Sequence, residues 1–320
     1  MRSCFYIVMV LASVVLAGCV SSSGSNYDES LVDKALEAFE LGEYSKAADL
    51  YAQKAEQGNA EAQFMLGMLY YDGYGVAKSY SVAAEWFLKS AEKNYMLAQF
   101  YLANMHLEGQ GGVKNYSEAL RWYRSAAVSG HAVARYNLGV MYYEGLGGLP
   151  NYSEALYWFR QAAEQDVAEA KLNLGKIYYE GQGVEKDYKK ALELFHQAER
   201  QGIPQASFNI GNMYVKGQGV QQNYGEAIKR YRLLADQGLA EAQSLLASMY
   251  YYGRGVPQDY SKASKWYTEA AEQGIALAQY NLGVMYLKGQ GFREDYAKAR
   301  EWFLKSCNSG VQEGCKIVSK

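Results

Sequence analysis

A tyrosine returns every 36 residues, at Tyr44, Tyr80, Tyr116, Tyr152, Tyr188, Tyr224, Tyr260 and Tyr296. An alanine follows each by three residues, from Ala47 and Ala83 to Ala299. A glycine pair keeps the same period, from Gly73/Gly75 through Gly145/Gly147 to Gly289/Gly291. No insertion breaks the register. Such a chain builds one small unit and stacks copies of it, because no single unit can bury its own apolar surface. The composition agrees, with 31 tyrosines beside 3 prolines in 320 residues.

Each unit reads as two helices. In the first, Ala62, Leu66, Leu69 and Tyr70 fall at i, i+4, i+7 and i+8, one apolar face at helical spacing. Gly73 stops it, and "YGVAKS" carries the chain to a second helix, where Tyr80, Ala83, Phe87 and Ala91 share a face. Asn94, or a glycine at 58, 130, 202, 238, 274 or 310, ends that second helix in a left-handed cap. Small alanines at 62, 98, 134, 170, 206, 242 and 278 let helices approach, and aromatics at 87, 123, 159, 195, 231, 267 and 303 fill the space between them. The spacing predicts an all-α fold, a right-handed superhelical α-solenoid of antiparallel helix pairs in 36-residue repeats. The glycines of "YNLGVMYYEGLGG", Tyr136 to Gly148, are helix punctuation and not a phosphate loop, since no Gly-Lys-Ser/Thr follows them.

The pattern A-x-x-x-L-G-x-M-Y-x-x-G-x-G-V followed by Y-x-x-A-x-x-W-F-x-x-A-A-x-x-G resembles the Sel-one-like repeat, a relative of the tetratricopeptide repeat. Seven units carry it between residues 60 and 311. Residues 31–59 lack the glycine pair and resemble a tetratricopeptide unit, an N-terminal cap; residues 312–320 are a C-terminal capping stub. The resemblance implies a non-enzymatic adaptor or scaffold that binds protein or peptide, with no cofactor.

The N-terminus is of a different kind. Arg2 precedes an uncharged apolar run, Phe5 to Leu16, too short to span a bilayer, which needs about 20 residues. The run fits the core of a signal peptide over residues 1–18. "LAGC", Leu16 to Cys19, resembles the bacterial lipoprotein cleavage box, which implies cleavage before Cys19 and lipid on its sulfur and new amino terminus. Val20 stands where that pattern places an inner-membrane retention aspartate, so the resemblance implies an outer-membrane lipoprotein facing the periplasm, with cell-surface or secreted placement as the alternative. Residues 19–30 are the lipidated cysteine and a flexible tether. Contact with the membrane is expected through the lipid anchor only. With 32 basic and 34 acidic residues nothing suggests nucleic acid, and the chain is expected to be a monomer.

Processing and lipidation account for Cys4 and Cys19, leaving Cys307 and Cys315 in an oxidising compartment. "SCNSGVQEGC", Ser306 to Cys315, is similar to the cysteine pair of secreted cysteine-rich members of the family. That likeness implies a Cys307–Cys315 disulfide stapling the last repeat, worth about 2–3 kcal/mol by loop closure.

In a strict repeat, functional chemistry stands out as a departure from the repeat columns. His106, His131 and His196 lie in different repeats without i, i+4 pairing, so no metal site is expected. His106 and His131 read as structural and His196 as solvated. "SAEK", Ser90 to Lys93, matches the Ser-x-x-Lys of penicillin-interacting enzymes, but Ser90 sits in a small-residue column and the companion motifs are missing, so no catalytic residue is assigned. The alternative reading is a β-lactam-binding or weakly hydrolytic secreted repeat protein, or a surface-exposed host-contact factor.

The binding candidates form a ladder just before the Leu-Gly of the first helices: Asn137, Asn173, Asn209 and Asn281. In tetratricopeptide proteins the first helices line the concave surface, and the resemblance implies that these amides hold a peptide backbone, being donor and acceptor at once. Tyr143, Tyr179 and Tyr251 on the same face offer rigid apolar area with a polar tip. Asn104, Asn212 and Lys176 are their neighbours. Before the glycines the charge changes along the chain, from Asp72, Glu108, Glu144 and Glu180 to Lys216 and Lys288.

Overall fold

The computed structural model describes residues 29–318; the signal segment, Cys19 and the tether up to residue 28 lie outside the described residues. Among the described residues there are 17 helices and no strand. The chain forms two compact units, up to Ser125 and from Ala126.

The first unit holds α1 (Glu29–Glu40), α2 (Tyr44–Glu56), α3 (Ala60–Asp72), α4 (Tyr80–Ala91) and α5 (Met96–Glu108), each packed on the next. The division falls in the last turn of α6 (Tyr116–Val128). The second unit continues with α7 (Ala132–Glu144), α8 (Tyr152–Glu164), α9 (Ala168–Glu180), α10 (Tyr188–Arg200), α11 (Pro204–Lys216) and α12 (Tyr224–Asp236). It ends with α13 (Ala240–Tyr252), α14 (Tyr260–Glu272), α15 (Ala276–Lys288), α16 (Tyr296–Asn308) and α17 (Gln312–Val318). Consecutive helices from α7 to α17 pack in series, which is the all-α repeat solenoid the periodicity predicts.

Local chemistry sets the helix ends. First helices stop at a left-handed glycine such as Gly145. Second helices begin at a side chain that takes an otherwise orphaned N–H: Asn151 Oδ1 accepts from Glu154 N, Asp187 from Lys190 N and Asp259 from Lys262 N. Each such cap is worth about 1 kcal/mol. The same residue's own N–H donates nine residues back, Asn151 N to Tyr142 O at 2.8 Å and Asp259 N to Tyr250 O at 2.9 Å. One bond therefore closes the turn and satisfies a carbonyl at the end of the first helix.

Packing explains the conserved spacing of small and large residues within the repeat. A Cβ on Gly139 in α7 would lie 2.7 Å from the Phe159 ring of α8, so only glycine admits the fully buried ring at that distance. The second glycine of each pair acts between units: at Gly219 (φ +70°) a Cβ would meet the Tyr188 carbonyl oxygen at 2.5 Å. Successive pairs are also tied by an amide across eight residues. Gln243 Nε2 donates to Ala235 O (3.2 Å) and Gln279 Nε2 to Ala271 O (3.1 Å). At the C-terminal end these two columns hold Cys307 and Cys315, which the structure joins as a disulfide with Cα atoms 4.7 Å apart. A covalent bond stands there where Gln243 and Gln279 make a hydrogen bond.

Candidate functional site

The tyrosines of the first helices are partly spent on the solenoid itself. Tyr179 Oη donates to Gln218 Oε1 of the next repeat at 2.7 Å, and Tyr251 Oη to Gln290 Oε1 at 2.7 Å. Tyr143 is placed near the Gln182 side chain, whose buried Oε1 takes no hydrogen bond among the described residues. Each ring meets the tyrosine that starts the following helix edge-on, with centroids 5.5 Å apart for Tyr143–Tyr152, 5.4 Å for Tyr179–Tyr188 and 5.3 Å for Tyr251–Tyr260. Where the column holds Val215, the residue 39 positions on is Arg254 and not glutamine. Acceptor and donor thus vary together. Burial raises the hydroxyl pKa of both Tyr143 and Tyr251.

A second linked pair of columns lies inside each helix pair. The buried Tyr231 of α12 donates to Asn212 Oδ1 of α11 at 2.7 Å, and the buried Tyr123 to Asn104 Oδ1. Tyr267 is placed against Ser248 and Asn281. Where the aromatic is Phe159 or Phe303, the partner position holds Val140 or Val284, which needs no hydrogen bond. Burial of a hydroxyl demands an acceptor, and the repeat supplies one only when the aromatic is tyrosine. Asn104 and Asn212 are committed to this task.

The four ladder asparagines are half-buried on α7, α9, α11 and α15. Asn173 bonds to Tyr136, Asn209 Oδ1 accepts from Gln205 Nε2 at 3.3 Å, and Asn281 Nδ2 donates to Tyr267 Oη at 3.1 Å. Asn137 has partners of its own. For Asn281 the bond to Tyr267 leaves Oδ1 without a partner among the described residues.

Two of the sequence candidates, Tyr251 and Asn281, come together. With Tyr252, Tyr267, Tyr280, Val284 and Lys288 they line a cavity of about 200 Å³ built by α13, α14 and α15. Tyr252 is 58% exposed, and Lys288 is exposed with no hydrogen bond or ion pair among the described residues. The Arg254 guanidinium stands 5.1 Å from the Tyr252 ring centroid. Asn137, Asn173, Asn209, Tyr143 and Tyr179 lie on helices of the same unit outside this cavity. Tyr252 and Tyr280 escaped the sequence reading. Tyr252 could have been found, since it replaces the charged residue of the Glu144, Glu180, Lys216 and Lys288 column.

A second departure from the columns has a different character. Glu199 stands where Ala163, Ala235 and Ala271 stand in other repeats, and Arg230 where Trp158 and Trp266 do. Ser207 Oγ donates to Glu199 Oε1 (2.8 Å), Arg230 Nε to the same oxygen (3.1 Å), and His196 Nδ1 lies 3.1 Å from Glu199 Oε2. His196 is therefore a half-buried partner and not the solvated residue its column suggests. Burial pushes the Glu199 carboxyl up, but Ser207, Arg230 and His196 together hold it below the usual carboxylate range. Serine and histidine both bond to the carboxylate and not to each other, so no nucleophile–base pair forms.

The remaining candidates are structural. His131 caps α7, its Nδ1 accepting from Ala134 N at 3.0 Å, and burial lowers its pKa to about 4. Burial also lowers that of His106. Ser90 is fully buried and donates to Ala60 O at 2.6 Å, while Lys93 reaches the Gly58 carbonyl. Among the described residues no three His, Cys, Asp or Glu side chains are placed to hold a metal ion, and no helix is long and apolar enough to cross a membrane.

Comparison with known proteins matches the geometry. The Sel1 repeat model fits residues 60–95, 97–131, 132–167, 168–203, 204–239, 240–275 and 276–311. A solved protective antigen of uropathogenic Escherichia coli strains, displaying an SLR fold, is 37% identical with a TM-score of 0.76 over 85% of this chain, which spans 58% of that structure. A Sel1 repeat protein from Oxalobacter formigenes is 27% identical with a TM-score of 0.72, covering 97% of this chain and 99% of the other. No curated protein matches the chain.

Proposed function

Because the chain belongs to the Sel1 repeat family, we propose that it is a non-enzymatic scaffold which binds an extended peptide segment of a protein partner on the first helices of its second unit. The observation that carries this reading is the cavity where Tyr251 and Asn281 meet, with an unpaired amide oxygen and an unpaired ammonium at a tyrosine wall. Tyrosine faces and a few polar groups in a concavity are the usual make-up of a recognition site. The amides of Asn137, Asn173 and Asn209 would serve the peptide backbone along α7, α9 and α11. The lipid anchor at Cys19 and a periplasm-facing place on the outer membrane belong to the same reading and rest on the sequence of the N-terminal segment.

The test exchanges all four asparagines for alanine in the full chain. Capture of an envelope partner should fall at least about ten-fold, the loss of one or two good hydrogen bonds, while circular dichroism still shows a folded helical chain. Unchanged capture rejects the groove. Protease added to the same intact cells separates the two orientations. The protein similar in sequence is named as a protective antigen, which favours testing the outward-facing alternative, and cleavage without permeabilising the outer membrane would establish it.

A further inference from the structure

The α13–α15 cavity has cations at its edge and no anion in its wall. Five residues of the second unit occupy one repeat position, the last of each first helix: Glu144, Glu180, Lys216, Tyr252 and Lys288. The helix dipole favours a cation at every one of these ends. Glu144 and Glu180 run against it, so the repeat tolerates either sign there, and packing does not dictate the lysines. Lys216 is used within the fold, its Nζ donating to Tyr179 Oη at 3.2 Å. Lys288 bears the same relation to Tyr251 in sequence, but Tyr251 bonds to Gln290 and Lys288 stays unpaired.

The polar groups left over are complementary to one kind of guest. Asn281 Oδ1 can only accept, which suits a peptide N–H. Lys288 can only donate and is positive, and the exposed Tyr252, whose hydroxyl is a second donor, lines the same cavity. A cavity of about 200 Å³ admits one side chain and not a folded surface. We propose that it receives an aspartate or glutamate side chain of an extended peptide: the carboxylate on Lys288 and Tyr252, its methylenes against the Tyr251 and Tyr280 rings, and the adjoining backbone N–H on Asn281. One lysine in the lining, with no cluster of arginines or backbone N–H groups, matches a singly charged carboxylate better than a phosphate dianion. This proposal rests on the peptide-groove reading and adds to it the charge of the guest.

The experiment uses the full chain and fluorescent decapeptides identical except for a central aspartate, asparagine, lysine or phosphoserine. At low ionic strength the aspartate peptide should bind about ten-fold tighter than its asparagine twin, and salt should narrow the gap. Lys288→Gln should abolish the preference, whereas Lys265→Gln on α14, whose ammonium lies over the Trp266 ring, should leave it intact. Both lysines are exposed, so folded protein is expected from each variant. Equal binding of aspartate and asparagine peptides overturns the acidic specificity while the groove stands. A preference that survives Lys288→Gln, or a phosphoserine peptide that far outbinds aspartate, also overturns it. Failure of every peptide to bind removes both the specificity and the groove.

Discussion

The stretch from His196 to Tyr231 and the stretch from Ser248 to Lys288 both break the repeat's own rules, yet they do so to opposite ends. In the first, Glu199, Arg230, Ser207 and His196 saturate one another, and Tyr231 is closed off by Asn212. In the second, Tyr252 and Lys288 surround a cavity and are not consumed by it. A departure from a repeat column marks chemistry, but only geometry tells whether that chemistry is spent on the fold. The Glu199 cluster holds the more reactive residue types and is the less available of the two.

The comparison breaks most visibly at Glu199. Glu199→Ala installs the residue found at Ala235 and Ala271, yet strands the Ser207 hydroxyl and removes one partner of Arg230, which is mostly buried. Unfolding in denaturant should show a loss of about 2 kcal/mol, and adding Ser207→Gln and Arg230→Trp, as at Gln243 and Trp266, should restore most of it. Acid should reproduce part of the loss. The folded carboxyl is held below its ordinary value, so its contribution is present above the unfolded Glu pKa of about 4.3 and disappears as pH falls through the lowered folded value. A single variant as stable as the parent would show that the cluster carries no stability.

Next in size is the Tyr231–Asn212 bond. Asn212→Val leaves a fully buried hydroxyl without an acceptor and should cost about 1–2 kcal/mol. Adding Tyr231→Phe converts the pair to the native Phe159/Val140 combination and should return stability close to the parent. Additive losses in that double-mutant cycle would refute the linked-column account. The smallest effect belongs to the cavity: Lys288→Gln should shift stability by less than about 0.5 kcal/mol while changing ligand preference. A large loss there would mean that the cavity, too, is spent on the fold.

Much of the architecture was legible in the sequence because a strict period samples the same environment seven times. Glycines, alanines and aromatics recur where each contact recurs, and the Gly139–Phe159 approach is the physical reason for that recurrence. The columns even held the linked pairs, Tyr179/Gln218 and Tyr251/Gln290 at a separation of 39, Tyr231/Asn212 at 19, although each column read singly hides the link. The candidate site was legible in part. Asn281 and Tyr251 are 30 residues apart and share a cavity, whereas Asn173, Asn209 and Tyr179 have the same residue types and local spacing and do not join it.

By itself, then, the sequence determined the helix pairs, their ends and the order in which they stack, since these follow from short-range spacing and caps repeated along the chain. Tertiary structure decided which polar groups have already found partners. A side chain's hydrogen-bonding capacity is finite, and whether Tyr251 or Glu199 has any left depends in part on Gln290 and Arg230, more than 30 residues away, which no local pattern places at bonding distance.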